Sequence, residues 1–287
     1  MNGIRIAHLI NPVKVDESRD LHFQQPFTFE SMRIAREFTG LKHEVNLYAV
    51  VYEEDVDMVE HGFNLIPDYL TRSTLDGDYK IERKLPYFKD MLDLLYEHCD
   101  GEDYFIQTNA DIGLYPYFYD FVAELINGGE DSFCINKRIV PEVFKEHGLS
   151  AIWACPGTTH AGCDCFVFRR ELYPKFNIGE IVMGTPWSET TLFTNMVAYA
   201  DNFSIYKNSQ ATFHIGDRRI WLPHDYNDYR IHNTNEFARI LKILSKKNKE
   251  ILKHPAIEMQ LGKLEKEVKL YTSYGEKYSK DCWKFIR

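Results

Sequence analysis

Tyr104-Phe105-Ile106-Gln107-Thr108-Asn109-Ala110-Asp111-Ile112-Gly113 is the stretch that decides how this chain folds. Tyr104 to Gln107 is a short aromatic and aliphatic strand, and it runs straight into the polar step Thr108-Asn109-Ala110-Asp111. Downstream, Tyr117 to Ile126 has helical spacing and stops at Asn127-Gly128-Gly129. Upstream, Leu85 to Cys99 predicts an amphipathic helix, with Leu85, Phe88, Met91, Leu92 and Leu95 on one face and Pro86 in its first turn. The polar step therefore stands at the carboxyl end of a strand between two helices. Open α/β sheets bind their ligands at that end.

The alternation continues outward. Ile4 to Ile10 predicts a buried strand ending at Asn11-Pro12, Thr28 to Phe38 a helix, and Val45 to Tyr52 a second strand. Asp55 to Asp78 is irregular and polar. Ser132 to Asn136 and Phe166 to Phe168 are further strands, the latter preceded by Gly162-Cys163-Asp164-Cys165. Thr190 to Ala200 reads as a helix and Phe203 to Tyr206 as a strand. Such an order predicts an α/β fold with a mostly parallel sheet covered by helices on both faces. After Asn235 the pattern changes to Lys/Glu-rich helices, Glu236 to Lys253 and Ile257 to Tyr271. The expected organisation is a main domain over 1–234 and a C-terminal helical extension over 235–287 packed on it.

Composition removes several function classes. With 44% hydrophobic and 27% charged residues the chain can build a core and is not disordered. A net charge of -9 argues against nucleic acid, whose phosphates need clustered Lys and Arg, and weakly against an anionic membrane as main partner. No apolar run reaches the roughly 18 residues of a membrane helix, and the first ten residues lack a signal-peptide core. The expected location is cytoplasmic, with the six cysteines as reduced thiols. Cys155, His160, Cys163 and Cys165 lie close in sequence, but their spacing suits packing better than a zinc site. The lysines from Lys242 to Lys253 read as a solvated helix face, with a partner or membrane surface as the lesser reading.

Asn109-Ala110-Asp111-Ile112 at a strand end resembles the Asn-x-Asp form of the Asp-x-Asp motif in GT-A glycosyltransferases. The resemblance spans roughly Ile4 to Trp221 and includes the helix carrying Arg83 and Lys84, the segment Gly184-Thr185-Pro186-Trp187-Ser188-Glu189, and Phe213-His214-Ile215-Gly216. It implies a GT-A, Rossmann-like mixed sheet and a metal-dependent transfer of sugar from a nucleotide-diphosphate donor to a glycan or other acceptor hydroxyl. Asp111, His214 and Asn109 are the implied ligands of Mn²⁺ or Mg²⁺. A hard cation on oxygen ligands neutralises a departing diphosphate. Asn11, Lys84, Asn109 and Asp111 are the implied donor-binding residues. Glu189 or Asp164 is the implied base if the reaction inverts, and the acceptor would approach past residues 154–162. Asn109 departs from the usual Asp and supplies one neutral oxygen.

Each residue also has a plainer reading. Asn-Ala-Asp can be a turn, His214 a structural histidine, and Glu189 an acid favoured by the helix dipole. Two other functions stay open. A non-catalytic nucleotide-sugar-binding protein of the same fold is one. A sugar nucleotidyltransferase is the other, disfavoured because Asn11-Pro12-Val13-Lys14 lacks a glycine cluster.

Overall fold

The computed structural model describes residues 3–160, 162–217 and 227–286. The chain divides into two compact units. The first gathers Met1–Thr71, Asp93–Tyr173 and Ala200–Arg218, and the second gathers Arg72–Leu92, Pro174–Tyr199 and Arg219–Arg287. The boundary expected between residues 234 and 235 falls inside one helix, Asn227–Lys247.

The first unit is built on a seven-stranded sheet. In chain order its strands and those of a smaller sheet are β1 (Arg5–Ile10), β2 (Glu44–Ala49), β3 (Asn64–Leu65), β4 (Tyr104–Thr108), β5 (Gly113–Leu114), β6 (Ser132–Ile135), β7 (Arg138–Val140), β8 (Thr158–Thr159), β9 (Cys165–Arg169), β10 (Phe203–Tyr206) and β11 (Thr212–Ile215). The large sheet runs β10-β6-β9-β4-β1-β2-β3, parallel except for β9, which is antiparallel to both β4 and β6. Every residue of β4 is buried, as expected of a central strand covered on both faces. Around it Ile6, Phe29, Met32, Phe118, Phe133 and Val167 form the main core.

The register fixes one edge of the sheet. Thr108 of β4 and Ile135 of β6 both stand opposite Cys165, the first residue of the reversed strand β9. The carboxyl ends of β1, β4 and β6 and the amino end of β9 therefore share an edge, and Asn11, Asn109–Asp111, Lys137 and Asp164 emerge along it. The small sheet, ordered β5-β11-β7-β8, begins just after Asp111 and pairs Gly113 with Phe213. That pairing carries His214 to Asp111 across about a hundred residues of chain.

Gly113 is what lets the two strands meet. A Cβ there would lie 2.1 Å from Cζ of Phe213, a ring only 1% exposed and unable to swing into solvent. Gly113→Ala is therefore expected to destabilise the first unit by about 3 kcal/mol, the upper part of the overpacking range. Urea denaturation of Gly113→Ala, alone and with Phe213→Leu, checks this: the second change should restore part of the loss. An unchanged midpoint for the single variant would show that the ring can yield.

Helix α1 (Asp20–Thr39) starts eight residues before the expected Thr28 and runs through Pro26. Its early turns are anchored by amides, so apolar periodicity does not register them. The Gln25 side chain accepts from Val13 N at 2.9 Å and donates to Val13 O at 2.8 Å. Helix α2 (Phe88–His98) begins later than expected. Phe88 N donates to Ile181 O, Met183 N donates to Pro86 O, and Tyr87 bridges Val182, so Pro86 lies in extended chain and not in a first helical turn. Helices α3 (Phe118–Asn127) and α4 (Gly148–Ala154) complete the first unit.

The second unit holds α5 (Ser188–Tyr199), α6 (Asn227–Lys247), α7 (Pro255–Ser273) and α8 (Lys280–Lys284). Buried Asn233 of α6 clamps the backbone of Val182 in both directions, at 2.8 and 2.9 Å, and Trp187 stacks on Phe237 at 4.8 Å. Among the described residues no helix is long and apolar enough to cross a membrane.

Candidate metal and nucleotide-sugar site

β4 ends in a turn closed by Ile112 N donating to Asn109 O at 3.1 Å, with Ala110 turned inward. The turn presents Asp111 to His214, which sits within β11 and does not follow the last strand as the sequence suggests. Nε2 of His214 stands 3.3 Å from Oδ2 of Asp111. On the other side of the ring, Nδ1 lies 2.7 Å from the carbonyl of Gly216. A carbonyl only accepts, so Nδ1 carries the ring proton and Nε2 presents its lone pair. Gly216 can offer its carbonyl there because its φ is +79°, a conformation natural to glycine. Gln24, nearly fully buried, fixes the arrangement: its amide donates to Ile215 O at 2.6 Å and faces His214 Nε2 at 3.4 Å.

Two electron-pair donors thus confront each other, a carboxylate oxygen and an imidazole nitrogen. Their contact requires a positive charge between them, either a second ring proton or a cation. Oδ1 of Asp111 is buried and has no hydrogen-bond partner. Burial pushes the Asp111 carboxyl up, but with a second proton on the His214 ring its hydrogen bond and charge, together with the charge of Lys137, outweigh it and hold the group below the usual carboxylate range. A carboxylate with one orphaned oxygen, beside an imidazole whose far nitrogen is tied to a backbone carbonyl, could offer ligands to a divalent cation. Among the described residues no group of three or more His, Cys, Asp and Glu side chains is placed to hold a metal, so these two residues supply only part of a coordination shell.

Asp164 lies on the same edge and is nearly buried. Its two oxygens face Lys137 Nζ at 3.0 Å and His160 Nδ1 at 3.1 Å. Burial raises its carboxyl, yet the Lys137 charge and the His160 hydrogen bond hold it below the ordinary range. A carboxylate engaged on both oxygens, one of them by the Lys137 ammonium, is a poor proton acceptor, and its geometry is that of a tether for Lys137. Asn11, at the end of β1, gives its side-chain amide to Val50 O at 2.6 Å and so ties two strand ends together.

Glu189 and Lys84 belong to the second unit. Glu189 stands in the first turn of α5 and accepts from Ser188 Oγ at 2.8 Å. The residue entering that helix, Trp187, has φ of 77°, a conformation costing a non-glycine residue about 1–2 kcal/mol. Its indole donates to Glu267 at 2.9 Å, which holds the strained turn in place. Lys84 is exposed. Ala161 of the expected acceptor loop, and Arg218-Arg219 beyond His214, lie outside the described residues. Sequence reasoning missed Lys137, Gln24 and Trp187. Lys137 had a usable signal, since it follows a strand directly at the ligand-binding edge.

No protein-family model and no curated protein matches the chain. Distant solved structures do. S. aureus TarS 1-349, crystallised in complex with UDP-GlcNAc, is 12% identical across 91% of this chain and 79% of that one, with a TM-score of 0.44. A Desulfovibrio desulfuricans protein assigned as a nucleotide-diphospho-sugar transferase is 13% identical across 87% and 97%, with a TM-score of 0.38. The 4-diphosphocytidyl-2C-methyl-D-erythritol synthase of Anaerococcus prevotii is 10% identical across 80% and 99%, with a TM-score of 0.39. What decides the fold is the sheet itself: mostly parallel, one strand reversed beside β4, and the Asn-Ala-Asp turn at the end of β4. The fold is a mixed α/β one, a mostly parallel sheet with helices packed on it. Asp111 and His214 stand at the carboxyl-end edge of that sheet, and the two carboxylates proposed as bases differ sharply: Asp164 is doubly paired, while Glu189 is set by a strained turn.

Proposed function

We propose that this chain is a cytoplasmic, metal-dependent glycosyltransferase that moves a sugar from a nucleotide-diphosphate donor to an acceptor hydroxyl. The observation that carries the proposal is the contact between Asp111 and His214, with Nδ1 of the histidine committed to Gly216 and Oδ1 of Asp111 left without a partner. Asp111, His214 and Asn109 would hold the ion. Mn²⁺ suits this set better than Mg²⁺, because an imidazole joins the oxygens. Bound there, the cation would stabilise charge on the departing diphosphate.

The chain's own groups do the remaining work. Lys137, fixed by Asp164, adds positive charge on the same edge. Asn11 holds the neighbouring strand ends, and Gln24 keeps the His214 ring in its tautomer. For an inverting transfer Glu189 is the better base, since Asp164 would have to give up its Lys137 and His160 contacts to take a proton.

The test is thermal stability with UDP, GDP, CMP and dTDP, each with Mn²⁺ and with EDTA. A ligand at about 100 times its Kd adds roughly 2.7 kcal/mol to the folded state. In a chain of this size that is a shift of about 5 °C. One nucleotide should produce it with Mn²⁺ and lose it in EDTA. A nucleotide shift indifferent to EDTA would replace the metal-dependent enzyme with a metal-free binding protein, and no shift from any of the four would remove the donor assignment.

A further inference from the structure

The acidity of the whole chain hides a basic helical region. Residues 236–286 carry twelve Lys and Arg against seven Asp and Glu, in a protein whose net charge is -9. Within that region α7 has two dissimilar faces. Ile257, Gln260, Leu264 and Val268, at helical spacing, are buried. Met259, Lys263, Lys266, Leu270 and Tyr274 follow at spacings of four, three, four and four, and so form a second stripe on the outward side. Met259 is 51%, Leu270 49% and Tyr274 68% exposed, unusual values for large apolar side chains.

No carboxylate interrupts the stripe. Glu265 pairs with Lys269 away from it, and Glu267 is turned inward to Trp187 and Thr234. Lys263 and Lys266 make no ion pair among the described residues. α8, which follows in the chain, carries similar side chains. It is pinned to α6 by Lys242 to Asp281 at 2.7 Å and by buried Cys282, while Trp283 stays 44% exposed between Lys280 and Lys284.

We infer that this face docks on an anionic lipid bilayer. Lysines there would meet headgroup phosphates and carboxylates, while Met259, Leu270 and Tyr274 enter the headgroup boundary, the level at which Tyr is favoured. Charge complementarity favours the surface, because this region of an acidic protein carries an excess of Lys and Arg that a negative plane attracts. The shape agrees: the stripe is one side chain wide and about 22 Å long, which suits shallow contact with a plane better than the area a stable protein interface buries.

The experiment is co-sedimentation of the full chain with vesicles of phosphatidylcholine alone and of phosphatidylcholine with phosphatidylglycerol. Binding is expected to the mixed vesicles, to fall as salt rises, and to be absent with the neutral ones. Lys263→Glu with Lys266→Glu should weaken it at least tenfold, and Leu270→Ser with Tyr274→Ser should weaken it at unchanged charge. All four positions are exposed, so both variants should melt like the parent. Equal binding to the two vesicle types, no binding to the anionic ones, or anionic binding unaffected by either pair of changes would overturn the inference. So would a dimer on size exclusion that Leu270→Ser with Tyr274→Ser dissociates, since the face would then belong to a second copy of the chain. None of these outcomes depends on the nucleotide or metal reading.

Discussion

Asp111→Ala is expected to reduce sugar transfer at least 10³-fold in kcat/KM while leaving the protein folded. A loss of that size corresponds to about 4 kcal/mol of transition-state stabilisation. It follows from removing the one carboxylate that the turn after β4 would offer to the proposed cation. Stability should change by no more than about 1 kcal/mol, because two contributions oppose each other. The variant loses the contact with His214, but it also loses a buried oxygen without a partner. His214→Ala should cost less, about 10–100-fold, since a neutral ligand can be replaced by water. Asp164→Asn provides the contrast. As a tether of Lys137 it should lower activity modestly and leave the pH profile in place, whereas loss of a base would remove the acid limb of that profile. Glu189→Gln should remove that limb if the reaction inverts. The readout is nucleotide release with the donor identified by thermal shift. An Asp111→Ala enzyme that keeps a tenth of its activity would end the metal assignment.

How much of this was legible in the sequence depended on whether the signal was local. The strand Tyr104 to Gln107, its polar exit and the following helix were readable because burial on both faces yields an unbroken apolar run, and Gly128-Gly129 punctuates the helix. β9 was readable as a strand, but not as the reversed one, since direction is a property of pairing and leaves no mark on Cys165 to Arg169. His214 was singled out, yet its place inside β11 depends on a two-residue partner, Gly113-Leu114, too short to show alternation. The start of α1 was missed because Gln24 and Gln25 are buried for their hydrogen bonds and so look like surface residues in a hydropathy pattern. Arg72, Asp90 and Glu180 form an ion-paired group joining two of the three segments of the second unit. Nothing in one dimension links them. Asp164 shows the opposite limit. Its position at the ligand-binding edge was foreseen, but its capacity as a base depended on Lys137, which stands in the short link between β6 and β7.

His8 should make the first unit lose stability as pH falls, over a window where carboxylates contribute little. It lies in the middle of β1, fully buried, with Nδ1 2.8 Å from the Tyr119 hydroxyl and Nε2 2.9 Å from Thr108 Oγ1. Both partners are neutral, and no carboxylate compensates a ring charge. Burial accordingly pushes the imidazole down to about 3. In the unfolded chain its ordinary value is about 6.5. Between these values the unfolded state binds a proton that the folded state refuses. Stability is thus complete above about pH 6.5 and falls by roughly 1.4 kcal/mol per pH unit below it, until the folded ring itself titrates near 3. The full loss approaches 5 kcal/mol, comparable to the whole stability of a marginal domain. Asp103, Asp111, Asp120 and Asp164, all held below the usual carboxylate range, add to acid lability only nearer their own ordinary values, so the interval from about pH 6.5 to about pH 5 isolates the histidine. Urea denaturation across that interval should show a loss of about 2 kcal/mol in the parent. His8→Gln keeps a donor and an acceptor for Tyr119 and Thr108 but cannot titrate, and its curve should be flat over the same interval, whatever constant offset its smaller side chain brings. An equal slope in His8→Gln would move the acid sensitivity to other residues and leave His8 as a neutral bridge between β1, β4 and α3.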